Sequence, residues 1–174
     1  MTETLNRTGS SDTIDLKMGE DRMKMNIGCV LPGRLGDLVW LDLDKDGLQG
    51  MDEPGIPNVK ITLIRDGEAV AETVTDQYGF YRFSDLYPAV YFFRVEAPAG
   101  IRPTIRKPEI PIICSVLEEE AEDGAFVSVG VQVESDKANY NADMGFVLTG
   151  STLPAGVGEG KTQDWTGSSD SHDD

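Results

Sequence analysis

Short stretches of alternating apolar and polar residues, separated by turn residues, fill most of the chain between Leu35 and Leu148. Successive side chains of a β-strand point to opposite faces, so this alternation predicts strands with one buried face. The segments with this pattern are LGDLVWL (35–41), VKITLI (59–64), EAVAETVT (68–75), FYRF (80–83), VYFFRVEA (90–97), FVSVGVQV (126–133) and ADMGFVL (142–148). About seven strands between turns predict an all-β protein, an antiparallel β-sandwich.

Two of the later segments carry more specific expectations. FVSVGVQV has the most regular alternation, and it predicts one strand that buries Val127, Val129, Val131 and Val133. SVLEEEAEDG (115–124) is strongly acidic and is expected to be a loop or one short turn. No segment of this region has helical periodicity with caps at both ends.

The chain divides into three parts. NIGCVLPG (26–33) resembles DMGFVLTG (143–150), so residues 1–33 are interpreted as the final strands of a preceding copy of the same module. Coincidence between two apolar strand ends remains open, in which case residues 1–33 are an N-terminal extension. Residues 34–149 form the complete module. Residues 150–174 are rich in Gly, Ser and Asp and are expected to be a disordered tail or linker.

The net charge of the chain limits the classes of partner that it can bind. The sequence has 31 acidic and 15 basic residues, a net charge of −16, and no cluster of basic residues. Nucleic acid is therefore excluded as a partner, whereas divalent cations suit the excess of carboxylates. No apolar run approaches the ~20 residues of a membrane span. The N-terminus has no hydrophobic segment typical of a signal peptide.

Histidine is missing from the patterned region, and although a pair of carboxylates could catalyse a reaction, nothing in the spacing selects a pair. The only histidine, His172, lies in the polar tail. The two cysteines, Cys29 and Cys114, match neither a disulfide framework nor a zinc spacing. No nucleophile and base are placed together, so the chain is predicted not to be an enzyme.

The stretch DLDKDGLQGMDE (42–53) has the spacing D-x-[DN]-x-[DN]-G-x5-E, which is typical of a calcium loop. Asp42, Asp44 and Asp46 can turn side-chain oxygens inward, Gly47 permits the sharp turn, and the Leu48 carbonyl follows. Glu53 can supply two oxygens to the large coordination shell of Ca²⁺. The predicted metal ligands are therefore Asp42, Asp44, Asp46, Leu48 and Glu53. An acidic surface loop that binds no ion is the alternative.

The flanks of this loop differ from those of an EF-hand. A β-type run precedes it, and Pro54 and Pro57 prevent a helix from following. Calcium is therefore expected to fasten two strands together, and not to move two helices.

GDLVWLDLDKDGLQGMDEPGIPNVKITL, TVTDQYGFYRFSDLYPAVYFFRVEAPAG and ADMGFVL resemble the B domains of serine–aspartate repeat surface proteins, the SdrD B-like family. That family belongs to the Cna-B, transthyretin-like superfamily. The resemblance implies a seven-stranded Greek-key sandwich, repeated in tandem on a bacterial surface and stiffened by calcium. It also suggests Asp37, Asp76 and Asp143 as candidate ligands of further ions; the alternative for each is a residue that forms a turn or keeps a strand edge soluble. Related domains carry a Lys–Asn isopeptide bond, but LGDLVWLD contains no lysine, so none is predicted here.

The leading functional hypothesis is a non-catalytic, calcium-binding spacer module of an extracellular or cell-surface bacterial protein, in contact with neighbouring repeats. LPGRL and LPAGV do not match a sortase signal, so attachment would come from outside this chain. A second hypothesis is a module that binds a host protein or polysaccharide, provided that Tyr87, Tyr91, Phe92 and Phe93 are exposed together. More often such residues belong to the core. A third hypothesis is an accessory domain of a larger extracellular enzyme.

Overall fold

The computed structural model describes residues 30–110, 114–121 and 123–158. This part of the chain contains strands, turns and loops and no helix. The strands are β1 (Gly33–Leu41), β2 (Lys60–Arg65), β3 (Glu68–Val74), β4 (Phe80–Leu86), β5 (Ala89–Glu96), β6 (Ile101–Pro103), β7 (Leu117–Glu120), β8 (Phe126–Ser128), β9 (Val131–Val133), β10 (Ala138–Asn139) and β11 (Met144–Leu148).

The strands form two sheets. In the first sheet β1 pairs with β4 on one side and with β10 and β11 on the other, and β6 lies beyond β11. The second sheet has the order β3, β2, β5, and β5 then pairs with both β8 and β9, with β7 beyond β8. The predicted all-β sandwich is therefore confirmed. It has more and shorter strands than expected, and β1 runs parallel to β10 and β11.

The core lies between the sheets and is built from the inward residues of the alternating strands. Tyr91, Phe93 and Val95 of β5 are buried, whereas Phe92 is 40% exposed. Tyr87, in the turn before β5, is 54% exposed. The aromatic residues considered as a binding surface are therefore divided, two in the core and two on the surface. The largest fully buried side chains are Trp40, Tyr91, Phe93 and Phe146.

The segment FVSVGVQV forms two strands where the alternation predicted one. In β8 the buried residues are Phe126 and Ser128, and Val127 is only half-buried. In β9 the predicted residues Val131 and Val133 are buried. The buried positions are thus even-numbered in β8 and odd-numbered in β9, so the alternation does not continue from one strand to the next. Both strands pair with β5.

The acidic segment SVLEEEAEDG was expected to be a loop, and this prediction was wrong. Its residues 117–120 form β7, which pairs antiparallel with β8 at the edge of the second sheet. An edge strand needs apolar residues on one side only, so a run of glutamates is compatible with it. The short strands β6 and β10 were not predicted.

The chain enters and leaves this sandwich at opposite ends. The proximal end carries the start of β1 and the 86–89 turn, because Gly33 is paired with Leu86. The distal end carries the last residues of β1 and β11, which run side by side in the same direction. The segment after β11 continues to pack there: Pro154 and Val157 are buried, the latter within the main core.

Ordered packing therefore extends beyond residue 149, where the module was expected to end. Residues 159–174 of the expected tail, and residues 1–29 of the expected preceding copy, lie outside the described residues. No helix in the described part of the chain is long and apolar enough to span a membrane.

Candidate metal centre

The acidic loop, residues 42–53, begins directly after β1 at the distal end. The N–H of Asp42 donates to the carbonyl of Phe146 in β11 at 2.7 Å. The N–H of Leu41 donates to the carbonyl of Pro54 at 2.9 Å, so the two ends of the loop meet. The loop is thus closed on itself and tied to the last strand.

The carboxylates of Asp42, Asp44 and Asp46 converge, and one oxygen of each lies within 4.8 Å of the others. Asp42 is only 1% exposed, whereas Asp44 and Asp46 face solvent. No ion pair among residues 30–110, 114–121 and 123–158 involves these three side chains. Their mutual repulsion is therefore not relieved by a basic side chain in that part of the protein.

Backbone N–H groups of the loop hold these carboxylates in place. Asp42 accepts the N–H of Asp46 on Oδ1 at 3.2 Å and the N–H of Gly47 on Oδ2 at 2.9 Å. Asp44 Oδ1 also accepts the N–H of Asp46, at 3.1 Å. Asp46 Oδ1 accepts the N–H of Leu48 at 2.7 Å. Asp44 and Asp46 each keep one carboxylate oxygen outside these turns.

Gly47 occupies a position that other residues do not tolerate. Its φ of 78° lies in the left-handed region, and an added Cβ would stand 2.4 Å from the carbonyl oxygen of Ile105. Lys45 also has a positive φ, 63°. The sharp turn expected at the sixth position of the loop is therefore present, and it presses against the 104–116 segment.

Glu53 and Leu48 are not part of the three-carboxylate cluster. Glu53 accepts the N–H of Leu43 on Oε1 at 2.7 Å and the N–H of Gly50 on Oε2 at 2.8 Å, so it joins the two halves of the loop. Leu48 forms an antiparallel bridge with Cys114, which fastens the loop to the segment that precedes β7.

The pKa values of the buried Asp42 and the half-buried Glu53 are shifted in opposite directions. Burial raises the pKa of Asp42, but hydrogen bonds from Thr104 and from three backbone N–H groups outweigh it and hold that pKa below its usual value. Burial raises the pKa of Glu53, and the charges of Asp42 and Asp44 raise it further.

Thr104 is a contributor that the sequence did not reveal. It is buried, its hydroxyl donates to Asp42 Oδ2, and its N–H donates to the carbonyl of Gly145 at 2.9 Å. It lies 62 residues from Asp42 along the chain, so no spacing rule connects the two.

The donor set fits a hard cation. All of the converging atoms are carboxylate oxygens, and Ca²⁺ takes 6–8 oxygen ligands in proteins. Asp42, Asp44 and Asp46 would hold the ion. Leu48 and Glu53 lie in the same loop, where the calcium pattern puts a carbonyl and a bidentate carboxylate.

The other acids named from the sequence lie elsewhere. Asp76 Oδ1 accepts the N–H groups of Tyr78 and Phe80 at 2.8 and 3.0 Å, so its side chain shapes the turn before β4. Asp37 and Asp143 do not belong to the loop cluster. Asp143 is 1% exposed and Asp37 is half-buried.

The chain is similar in sequence to known bacterial proteins. The chain is 35% identical over 144 residues to the bone sialoprotein-binding protein of Staphylococcus aureus strain MRSA252, covering 81% of this chain and 12% of that protein. The identity and both coverages are the same for serine-aspartate repeat-containing protein E of Staphylococcus aureus strain MSSA476. The chain thus spans about an eighth of the length of these relatives.

Among solved structures, the minor pilin GBS52 of Streptococcus agalactiae is similar with a TM-score of 0.43 and 14% identity, over 72% of this chain and 49% of that chain. The Bacillus anthracis TIE protein has a TM-score of 0.40 and 18% identity, over 68% of this chain and 18% of that chain.

The family model of the SdrD B-like domain matches residues 33–146, most of the part of the chain that the structure describes. The matched range begins with β1 and ends within β11, so it includes the acidic loop and both sheets. The chain belongs to the SdrD B-like domain family.

Proposed function

We propose that this chain is a non-catalytic, calcium-stabilised spacer module of an extracellular bacterial surface protein. The observation that carries the proposal is the convergence of Asp42, Asp44 and Asp46 in a loop whose described surroundings supply no basic partner. The proposed ligands are these three carboxylates, the Leu48 carbonyl and Glu53. Membership of the family, and the surface proteins among its relatives, support the location.

The proposed role of the ion is to fasten separate parts of the sandwich. The acidic loop is bonded to β11 through Asp42 and to the 104–116 segment through Thr104 and Cys114. An ion bound only by the folded protein stabilises it by RT ln(1 + [L]/Kd). The expected affinity is that of extracellular modules, with a Kd of ~10⁻⁴ to 10⁻³ M.

The proposed spacer role rests on the direction of the first and last strands. Because β1 and β11 are parallel, the chain arrives at the proximal end and departs from the distal end. At about 3.3 Å per residue, β1 together with the last residues of β11 spans roughly 30 Å. Tandem modules joined in this way would extend in one line, so the proposed partners are neighbouring modules of the same surface protein.

Thermal unfolding with and without calcium tests the proposal. At 100 times Kd, calcium adds about 2.7 kcal/mol of stability. For a domain of this size we expect Tm to rise by about 8 °C relative to protein in EDTA. The double variant Asp44→Asn/Asp46→Asn should lose this response, and Asp66→Asn, in the exposed β2–β3 turn, should keep it.

Three results would contradict the proposal. They are an equal Tm in EDTA and in 10 mM CaCl₂, a full calcium response in the double variant, and an equal response to magnesium. The last would mean that general charge neutralisation, and not a calcium site, stabilises the loop.

A further inference from the structure

A groove of about 480 Å³ opens between the edges of the two sheets, beside β6 and β7. β6 lies beyond β11 at one edge of the first sheet, and β7 lies beyond β8 at one edge of the second. The lining of the groove includes two arginines, two prolines and two core residues, which are Arg102, Arg106, Pro103, Pro108, Leu117 and Phe126. Ligand-binding pockets have volumes of about 300–1,000 Å³, so the groove is large enough to hold side chains of another segment.

The groove carries positive charge on a chain whose net charge is −16. Among its described lining residues Arg102 and Arg106 are basic, and Glu118 is acidic. Arg102 is exposed, and no ion pair of the described residues involves it. Arg106 Nη1 lies 3.8 Å from Oε1 of Glu118, which is too far for a hydrogen bond. Both guanidinium groups are therefore available to a carboxylate from another segment.

Arg106 also has an unpaired donor. Its Nε is buried and has no hydrogen-bond partner among the described residues. A buried donor without a partner is destabilising, and such donors are usually paired in native proteins. The N–H groups of a guanidinium form a planar fork that matches the two oxygens of a carboxylate. A carboxylate bound in the groove would therefore supply the partner that this Nε lacks.

The remainder of the groove is apolar. Leu117 and Phe126 are buried and belong to the core, Pro103 is half-buried, and Pro108 is exposed. Aromatic side chains pack well on a surface of this kind, and a guanidinium is attracted to the face of an indole ring. The groove therefore fits a segment that carries a carboxylate and an aromatic residue side by side.

Residues 159–174, which lie outside the described part of the chain, have this composition. They contain five acids, one lysine and one large apolar residue, Trp165, which directly follows Asp164. The groove is close to the place where this segment begins, because Arg102 is paired in register with Val147 of β11 and Val157 packs in the core. The chain from Val157 to Asp164 can span up to about 23 Å. The neighbouring strands β4, β1, β11 and β6 are together only about 15 Å wide, so the segment can reach the groove.

We infer that residues 159–174 dock into this groove of their own molecule. The carboxylate of Asp164 pairs with the guanidinium groups of Arg102 and Arg106. The indole of Trp165 packs on the apolar floor formed by Leu117 and Phe126. The acidic surface elsewhere repels this segment, whereas the two arginines attract it. Docking gives Arg106 Nε its partner and directs the chain along the β6 edge as it leaves the distal end.

¹⁹F NMR of the full chain, labelled with 5-fluorotryptophan, tests the docking. The protein has two tryptophans, so two resonances are expected, and Trp165→Phe assigns them. Trp40 is fully buried, so its resonance reports whether the sandwich is folded. We expect the Trp165 resonance to differ from that of a labelled synthetic peptide of residues 159–174, because the docked indole is removed from water.

Substitutions on both sides of the contact separate docking from other causes of such a shift. Arg102→Gln/Arg106→Gln should move the Trp165 resonance to the peptide position and leave the Trp40 resonance unchanged. Asp164→Asn should move it in the same direction. The matched control Arg34→Gln removes an exposed base of β1 that does not line the groove, and it should leave both resonances in place.

Three results would overturn the docking. They are a Trp165 resonance at the peptide position in the wild-type chain, a shift that survives in the double arginine variant, and a shift that disappears on dilution. The last would mean that the segment binds a second copy of the chain. If the arginine variant also moves the Trp40 resonance, Asp164→Asn decides, because it changes only the segment. A Trp165 resonance that Asp164→Asn leaves in place then overturns the docking.

Discussion

Replacing Thr104 by valine removes the hydroxyl that donates to Asp42 Oδ2 and keeps a side chain of nearly the same shape. Thr104 is 7% exposed and Asp42 is 1% exposed, so water does not readily replace the lost donor. A hydrogen bond to a charged group contributes about 1.5–3 kcal/mol. We therefore expect Thr104→Val to lower the free energy of unfolding by about 2 kcal/mol in EDTA, or Tm by about 6 °C.

The pH dependence of this loss follows from the pKa of Asp42. Hydrogen bonding holds this pKa below its usual value, so the stability that it contributes is present above pH 4 and is lost only as the pH falls through the lowered pKa. In the wild type Asp42 is therefore ionised from pH 5 to 8, whereas the variant keeps the burial that raises this pKa and loses the hydroxyl that lowers it. The loss caused by Thr104→Val should therefore be at least as large at pH 8 as at pH 5, because a raised pKa in the folded variant lowers its stability as the pH rises.

Urea unfolding at both pH values is the assay, and Thr104→Ser is the matched control because it retains the hydroxyl. The methyl group of Thr104 approaches Gly145, so serine should cost only the packing of one methyl, about 1 kcal/mol. If valine and serine destabilise the protein equally, the hydroxyl does not hold Asp42. If the loss is larger at pH 5 than at pH 8, removal of the hydroxyl does not raise the pKa of Asp42.

Two further substitutions examine the loop and the distal end. Gly47→Ala should lower the free energy of unfolding by about 3 kcal/mol and weaken calcium binding, because the new Cβ at a positive φ would press on Ile105. The control Gly67→Ala should lower it by only about 1 kcal/mol, because Gly67 also has a positive φ, 83°, but has open space beside it. Equal urea midpoints for the two variants would show that the Ile105 contact is not tight. Val157→Ala should cost about 2 kcal/mol because Val157 belongs to the core, whereas Leu153→Ala, at a 49% exposed side chain, should change stability by less than about 0.5 kcal/mol. A midpoint unaltered by Val157→Ala would mean that the module ends before this residue.

The strands that were predicted correctly from the sequence have one face on the core and the other towards solvent. β2 and β5 lie between neighbours and β4 lies at an edge, but each has one face on the core, so their alternation reports burial directly. β8 differs because Ser128 is buried there for its hydrogen bond: its hydroxyl accepts the N–H of Phe93 at 2.8 Å. A buried polar residue with a partner is indistinguishable in sequence from a surface one, so the phase of β8 was missed.

The acidic loop was predictable because its residues are local in sequence. The spacing placed Asp42, Asp44 and Asp46 together, as the structure does. The contact of Thr104 with Asp42 and the Leu48–Cys114 bridge were not predictable. Both join the loop to residues that follow β6, far away in the sequence.

The parallel register of β1 and β11 also determines how the module responds to mechanical force. A pull on the two ends of the sandwich drives β1 and β11 past each other along their own lengths. The inter-strand hydrogen bonds then resist together in shear, whereas an antiparallel terminal pair pulled from one end would open one bond at a time. A domain with this arrangement is suited to bear tension along a chain of modules.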